Sequence, residues 1–285
     1  MVCSPSFSRP LATERAVRDL HATSSSGRQA EAVIRVRALE VGFGDRRILT
    51  SVDLDLYRGD ILGLVGASGS GKSVLTRTIL GLVTKRAGII ELFGKNTDEL
   101  SPEELRALEQ RIGVLFQFGA LISSLSVKEN VQLMMREHLH LSEELLDEVA
   151  MLKLDMVGLP ANVAEKHPSE LSGGMVKRAA LARAMALDPE VLLLDEPTSG
   201  LDPVGAAEFD ELIVTLRNAL GLTVFMVTHD LDSLHTICDR IAAIADGRII
   251  ATGRMEDMLR IEDPWLRAYF RGKRARAANR VPASG

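Results

Sequence analysis

The stretch Val33-Ile34-Arg35-Val36-Arg37-Ala38-Leu39 alternates apolar with charged residues, the period of a strand with one buried face. Val52-Asp53-Leu54-Asp55-Leu56 repeats the alternation, and the two predict a small antiparallel sheet ahead of the main core. Residues 61–65, Ile-Leu-Gly-Leu-Val, carry no polar side chain, as suits a strand covered on both faces. Similar runs recur at 113–116, 191–194 and 223–227 with helical patterns between them, which predicts a parallel sheet flanked by helices. Asp246-Gly247, set between the runs 241–245 and 248–251, signals a tight hairpin. Between about 118 and 186 the strand signal vanishes, while Ser142 followed by Glu143 and Glu144, and Ser172 further on, have the chemistry of helix starts. The chain reads as an α/β core with a helical subdomain inserted, without an internal repeat of about 20 to 50 residues.

A length of 285 residues suits one large domain or two small ones, and 46% hydrophobic with 26% charged residues is ample material for a core. The formal net charge of −5 argues against nucleic-acid binding by bulk positive charge. Two cysteines, Cys3 in the N-terminal stretch and Cys238 in a predicted helix, suggest neither a disulfide framework nor a zinc site, as in a reducing cytoplasm. No apolar run approaches the roughly 18 residues needed to cross a bilayer, and Met-Val-Cys-Ser-Pro-Ser lacks the apolar core of a secretory leader. Residues 1–31, rich in Ser, Arg and Ala, are expected to be a flexible tail. Residues 32–254 are expected to form the domain, with its helical part at about 118–186. Residues 255–285 are read as a C-terminal helical segment and basic tail, with no acid from Trp265 onward. There Trp265, Leu266 and Tyr269 are predicted to share one side of a short helix begun by Pro264.

Three motifs carry chemistry. Gly66-Ala67-Ser68-Gly69-Ser70-Gly71-Lys72-Ser73 follows the 61–65 strand and fits G-x-x-x-x-G-K-[ST]. Its glycines let backbone N–H groups face a phosphate at the positive end of the next helix; Lys72 would reach the β- and γ-phosphates and Ser73 would ligate Mg²⁺. A flexible glycine turn is the bland reading, and the preceding strand speaks against it. Asp195 and Glu196 end the apolar run 191–194, where Asp195 would hold the metal and Glu196 would act as general base toward water. Taken alone, the two acids could equally cap a helix. Leu171-Ser172-Gly173-Gly174-Met175 opens another helix with exposed N–H groups, a second anion site in a chain with one Lys-bearing phosphate loop. The simplest resolution is that Ser172, Gly173 and Gly174 face the γ-phosphate bound by another copy.

These motifs, with Gln117 after the 113–116 strand, Ser199-Gly200-Leu201-Asp202 after Glu196, and His229 after the 223–228 run, resemble ABC-transporter ATPase domains from residue 33 to about 254. The resemblance implies an ABC ATPase fold: an α/β P-loop NTPase (RecA-like) core with a parallel sheet, an N-terminal antiparallel β subdomain and an inserted helical subdomain. It implies that Phe43 stacks on adenine and that Gln117 links γ-phosphate and Mg²⁺ to the membrane subunit. Asp202 would act across the dimer, and His229 would contact the γ-phosphate and orient Glu196. Met175 stands where such signatures usually carry Gln. Residues 116–121, 126–131 and 169–180 look more narrowly like the ATPases of Mla/Mce-type lipid transporters, in which Met is usual at that position. That resemblance implies ATP and Mg²⁺ as ligands and a homodimer with composite ATP sites. It also implies an integral membrane permease received by a groove at about 118–131, Mce-domain lipid-binding partners, and a peripheral place on the cytoplasmic face of the inner membrane. The alternatives are an ABC ATPase that powers another substrate, and a non-transport ABC ATPase of repair or translation. The chain has neither the long coiled coil of the repair proteins nor the second fused domain usual in the translation factors. A P-loop GTPase or kinase would have no use for residues 171–175, and the guanine-reading Asn-Lys-x-Asp is missing.

Overall fold

The structure, a computed structural model, describes residues 31–271. Strands β1 (Ala32–Phe43) and β2 (Arg46–Tyr57) pair antiparallel, as their alternation predicts. Each changes phase midway. In β1 the buried set moves from Ile34 and Val36 to Leu39 and Val41, and the extra residue is absorbed at Ala38, whose φ is 45°. The carboxylate of Asp53 accepts the Ala38 N–H at 2.8 Å and satisfies the donor that this bulge frees. The sheet is completed by β4 (Ala87–Leu92) and β5 (Lys95–Asn96), in the order β2-β1-β4-β5. The antiparallel sheet is therefore not a purely N-terminal unit, because half of its strands follow the phosphate loop.

The second sheet contains β3 (Ile61–Gly66), β6 (Ile112–Leu115), β7 (Val191–Asp195), β8 (Thr223–Val227), β9 (Arg240–Ala245) and β10 (Arg248–Gly253), in the order β10-β9-β3-β8-β7-β6. All neighbours are parallel except β9 and β10, the hairpin turned by Asp246 and Gly247 with φ of 48° and 72°. Both residues need positive φ, which selects this pair for a two-residue turn. Strand β3 is buried along its whole length: Leu62 and Leu64 face the antiparallel sheet, and Ile61 faces the helical side. A strand fixed on both faces is a rigid mount for the loop that leaves it. Strand β6 ends one residue earlier than the apolar run, leaving Phe116 exposed.

Helices α1 (Lys72–Ile79) and α2 (Pro102–Glu109) precede β6, and between β6 and β7 lie three α-helices, α3 (Val127–His138), α4 (Glu143–Met156) and α5 (Gly173–Ala184), with no strand. Ser126, Ser142 and Ser172 cap them, Ser126 in a reciprocal box with Glu129. Val131 and Met135 are fully buried among these helices, the packing role that an apolar helical stretch ordinarily has. Cys238 lies just past a helix (Leu231–Ile237) rather than within it, and burial raises its thiol pKa.

In the C-terminal helix (Pro264–Arg271) Trp265 and Tyr269 share one side as expected, while Leu266 lies on the neighbouring one. Leu266 pairs with Phe270, both buried against Val65 and Met258, while Trp265 stacks on Tyr269 at 5.0 Å between ring centroids. The positions i and i+4 share a face, so two adjacent pairs result instead of one stripe. The basic residues beyond 271, and the N-terminal stretch 1–30, lie outside the described residues. Glu31, the last residue of the expected tail, pairs with Arg58 at 3.0 Å.

One buried acid makes a testable demand on stability. Asp210, in the helix Pro203–Leu220, is 5% exposed, and burial pushes its pKa up to about 6. Ser233 beside it opposes that rise, yet Asp210 Oδ1 and Ser233 Oγ both lack a partner in hydrogen-bond geometry. A folded-state pKa above the ordinary 3.8 means that the native protein holds the proton more tightly than the unfolded chain. This stabilisation is complete below the unfolded value and is lost as pH rises through about 6. Asp210→Asn is expected to stabilise the fold at pH 7.5 by on the order of 2 kcal/mol. The gain should disappear near pH 4, as read from denaturant titrations at the two pH values.

Candidate active site

Residues 66–73 leave β3 and enter the helix α1 (Lys72–Ile79). Two glycines are required here. A Cβ on Gly66 would lie 2.5 Å from the Ile244 carbonyl oxygen, and Gly71 has φ of +106° with Leu49 closely behind it. Helix α1 has no side-chain cap and no acid in its first turn, so its N-terminal N–H groups remain for an external anion. Lys72 Nζ folds back over the loop, donating to the carbonyls of Gly66 at 2.7 Å and Ala67 at 3.1 Å. Ala67, Ser68, Gly69 and Ser73 are exposed, while Ser70 is buried.

Strand β7 delivers Asp195 and, one step on, Glu196, whose φ of 50° is rare for a non-glycine residue. That backbone turn is held by the Glu196 N–H donating to the Val227 carbonyl at 2.8 Å. The Glu196 carboxylate meets His229 Nδ1 at 2.7 Å, and His229 itself is exposed just past the end of β8. Burial, then the charge of Glu196, push the pKa of Asp195 up; Arg77, Lys177 and Lys72 oppose them. Burial likewise lowers the pKa of Lys72, against the attraction of Glu196 and Asp195. Two carboxylates and an ammonium are thus packed at or beyond the ends of β7 and β3, the two strands that flank β8, a donor set that suits a phosphate chain and a divalent cation. Among the described residues no cluster of three or more His, Cys, Asp or Glu side chains is spaced to hold a metal alone. A cation here would take its remaining ligands from hydroxyls, phosphates and water.

The other expected residues fall into separate places. Phe43 ends β1 with its ring exposed. Gln117 is half-buried after β6. Ser172 caps α5 by accepting the Met175 N–H at 3.3 Å, and Gly173 and Gly174 sit beside Gly200 and Leu201. The Met175 side chain packs into the helical core, so this position offers a backbone donor and no side-chain hydrogen bond. Among the described residues no hydrogen bond or ion pair joins residues 172–174 to residues 66–73. Asp202 caps the Pro203–Leu220 helix, accepting from Val204 and Gly205 at 3.0 and 2.9 Å. Its position is exposed.

Two residues escaped the sequence reading. Lys177 in α5 is 5% exposed and donates to the carbonyl oxygens of Gln117 and Glu196, the latter at 2.9 Å, with Ser199 Oγ at 3.5 Å. Arg183, two turns on, donates to the carbonyls of Gly119 and Ala120 at 2.7 and 2.5 Å. In sequence both look like the solvated face of a helix. Their burial becomes visible only when two separate segments, 117–120 and 196–199, converge on α5.

Residues 49–199 match the family model described as ABC transporter. The chain belongs to the ABC transporter family. It is 40% identical over 241 residues to the intermembrane phospholipid transport system ATP-binding protein MlaF of Haemophilus influenzae, covering 85% of this chain and 91% of that one. It is also 38% identical to the probable ribonucleotide transport ATP-binding protein mkl of Mycobacterium leprae, over 85% of this chain and 69% of that protein. Among solved structures it resembles the dimeric post-hydrolysis state of the ATP-binding cassette MJ0796 bound to ADP and Pi. The TM-score is 0.71 at 30% identity, covering 78% of this chain and 98% of that one. This ABC ATPase has no helix among its described residues long and apolar enough to cross a membrane.

Proposed function

We propose that this ABC ATPase hydrolyses ATP as one of two identical subunits and so drives phospholipid movement through a separate membrane permease. The observation that carries the chemistry is the convergence of Lys72, Asp195, Glu196 and His229 at the mouth of an uncapped helix N-terminus. Phe43 stacks on the adenine, residues 66–73 wrap the phosphates, and Lys72 exchanges its loop carbonyls for phosphate oxygens. Ser73, Gln117 and Asp195 would hold Mg²⁺, which supplies positive charge to the β- and γ-phosphates. Glu196 takes a proton from the attacking water, and His229 fixes the carboxylate that does so. Ser172, Gly173 and Gly174 of the other copy close the site over the γ-phosphate, and Asp202 faces across the same interface.

Phe116, Phe118 and Ile122 are exposed after β6, and further along Ser124, Leu125, Lys128 and Leu133 line a groove of about 700 Å³. The groove receives the permease, on the cytoplasmic face of the inner membrane, and lipid-binding Mce proteins complete the system. The MlaF relatives support phospholipid as the cargo, whereas the name of the mkl relatives supports a ribonucleotide. Proteoliposomes containing the chain, its permease and the lipid-binding partner separate the two. MgATP-dependent transfer of a fluorescent phospholipid is expected, and transfer is lost with Lys72→Ala. Ribonucleotide uptake without lipid transfer would reverse the cargo assignment.

A further inference from the structure

We propose that Lys177 is a positioning residue of the hydrolytic site, one that ties Glu196 and the Gln117 segment to the helix α5. The inference rests on the reading of Glu196 as the base. An ammonium has three donors, and here they meet three acceptors from two segments: the Gln117 carbonyl after β6, and the Glu196 carbonyl and Ser199 Oγ in the turn after β7. The Glu196 peptide is the strained one, with φ of 50°. Its carbonyl is held from the α5 side by Lys177, and its N–H from the β8 side by Val227. Backbone clamped at both ends fixes where the carboxylate points, and so where the attacking water must lie.

Arg183 extends the clamp, pinning Gly119 and Ala120 to the same helix two turns later. The segment after β6 is therefore mounted on α5 rather than left as a free loop. Helix α5 begins at the Gly173–Gly174 end proposed to meet the ATP of the other copy. A shift of α5 on closure over that ATP is transmitted by Lys177 to the base and the Gln117 segment of its own site. Neither charge nor size alone explains a buried lysine here; the cost of desolvating it is offset by the full set of acceptors.

The test uses the full-length chain and compares Lys177→Met, Lys177→Gln and Glu196→Gln for kcat and KM in MgATP, with melting temperature as control. Lys177→Met keeps the length but has no donor, and is expected to lower kcat at least about ten-fold while KM changes less than about three-fold. Lys177→Gln, with two N–H donors, is expected to fall between the wild type and Lys177→Met. If Lys177→Met keeps normal turnover, if Lys177→Gln is no better than Lys177→Met, or if KM rises in step with the loss of kcat, the proposal is overturned. Should Lys177→Met fail to fold, Lys177→Gln decides: reduced kcat with unchanged KM supports the clamp, and any other result overturns it. Normal turnover in Glu196→Gln overturns the reading of the base itself, and this inference with it. Loss of turnover there beside normal Lys177→Met overturns the clamp alone.

Discussion

Glu196→Gln is expected to bind ATP with near-normal affinity and to turn it over at least about 100-fold more slowly, the usual worth of general base catalysis. The substitution keeps the size and the contact with His229, and removes only the capacity to take up the water's proton. Because the amide carries no charge, it also relieves the repulsion that raises the pKa of Asp195 beside it. Binding should not suffer from either change. ATP that is bound but not cleaved holds the two copies together, so the variant is expected to elute as a dimer on size exclusion in MgATP and as a monomer without it. Near-normal phosphate release would remove Glu196 from the role of base and leave His229 without a group to orient.

How much of this was legible in the chain depends on how local each cause is. Residues 66–73 were legible because backbone geometry dictates the residue type at Gly66 and Gly71, where a Cβ has no room or the wrong φ. The parallel sheet itself followed from apolar runs that tolerate no polar side chain, whereas the order of its strands is set by tertiary pairing and was not legible. Strands β4 and β5 gave no signal: Ala-Gly-Ile-Ile-Glu-Leu has no clean period, and a two-residue strand cannot have one. Strand β4 exists because β1 presents an edge to pair with, and β5 pairs in turn with β4. The bulges at Ala38 and Ser51, both with positive φ, were hidden for a related reason, since the need to keep one face buried across a phase change is set by the partner strand. On the C-terminal helix the Trp265–Tyr269 side was legible from its i, i+4 spacing, whereas Leu266 belongs with Phe270 in the cluster of Val65 and Met258. Lys177 and Arg183 stayed invisible because their partners are carbonyls up to about sixty residues away, and a carbonyl has no letter in the sequence.

The second large effect concerns the dimer. Residues 172–174 make no hydrogen bond or ion pair with the phosphate loop of their own chain among the described residues, yet they present an exposed helix N-terminus. Lys72→Ala removes the ammonium that pairs with the phosphates, and is expected to abolish high-affinity binding at the loop that carries it. Ser172→Arg places a bulky cation where N–H groups would meet the γ-phosphate, and is expected to abolish closure at the site that this helix serves. If that site belongs to the partner, the arrangement of the two lesions matters more than their number. With Lys72→Ala on one copy and Ser172→Arg on the other, both fall in the same composite site and the second site stays whole. With both on one copy, each site carries one lesion.

Counting ATP occluded per dimer in these two arrangements is the most direct measurement of the central claim. The copies carry different affinity tags so that only mixed dimers are recovered, and both carry Glu196→Gln so that bound ATP is retained. One ATP per dimer with the lesions on separate copies, and none with both on one copy, is the predicted result. The reverse pattern would show that each chain closes its own site, and would contradict the composite ATPase.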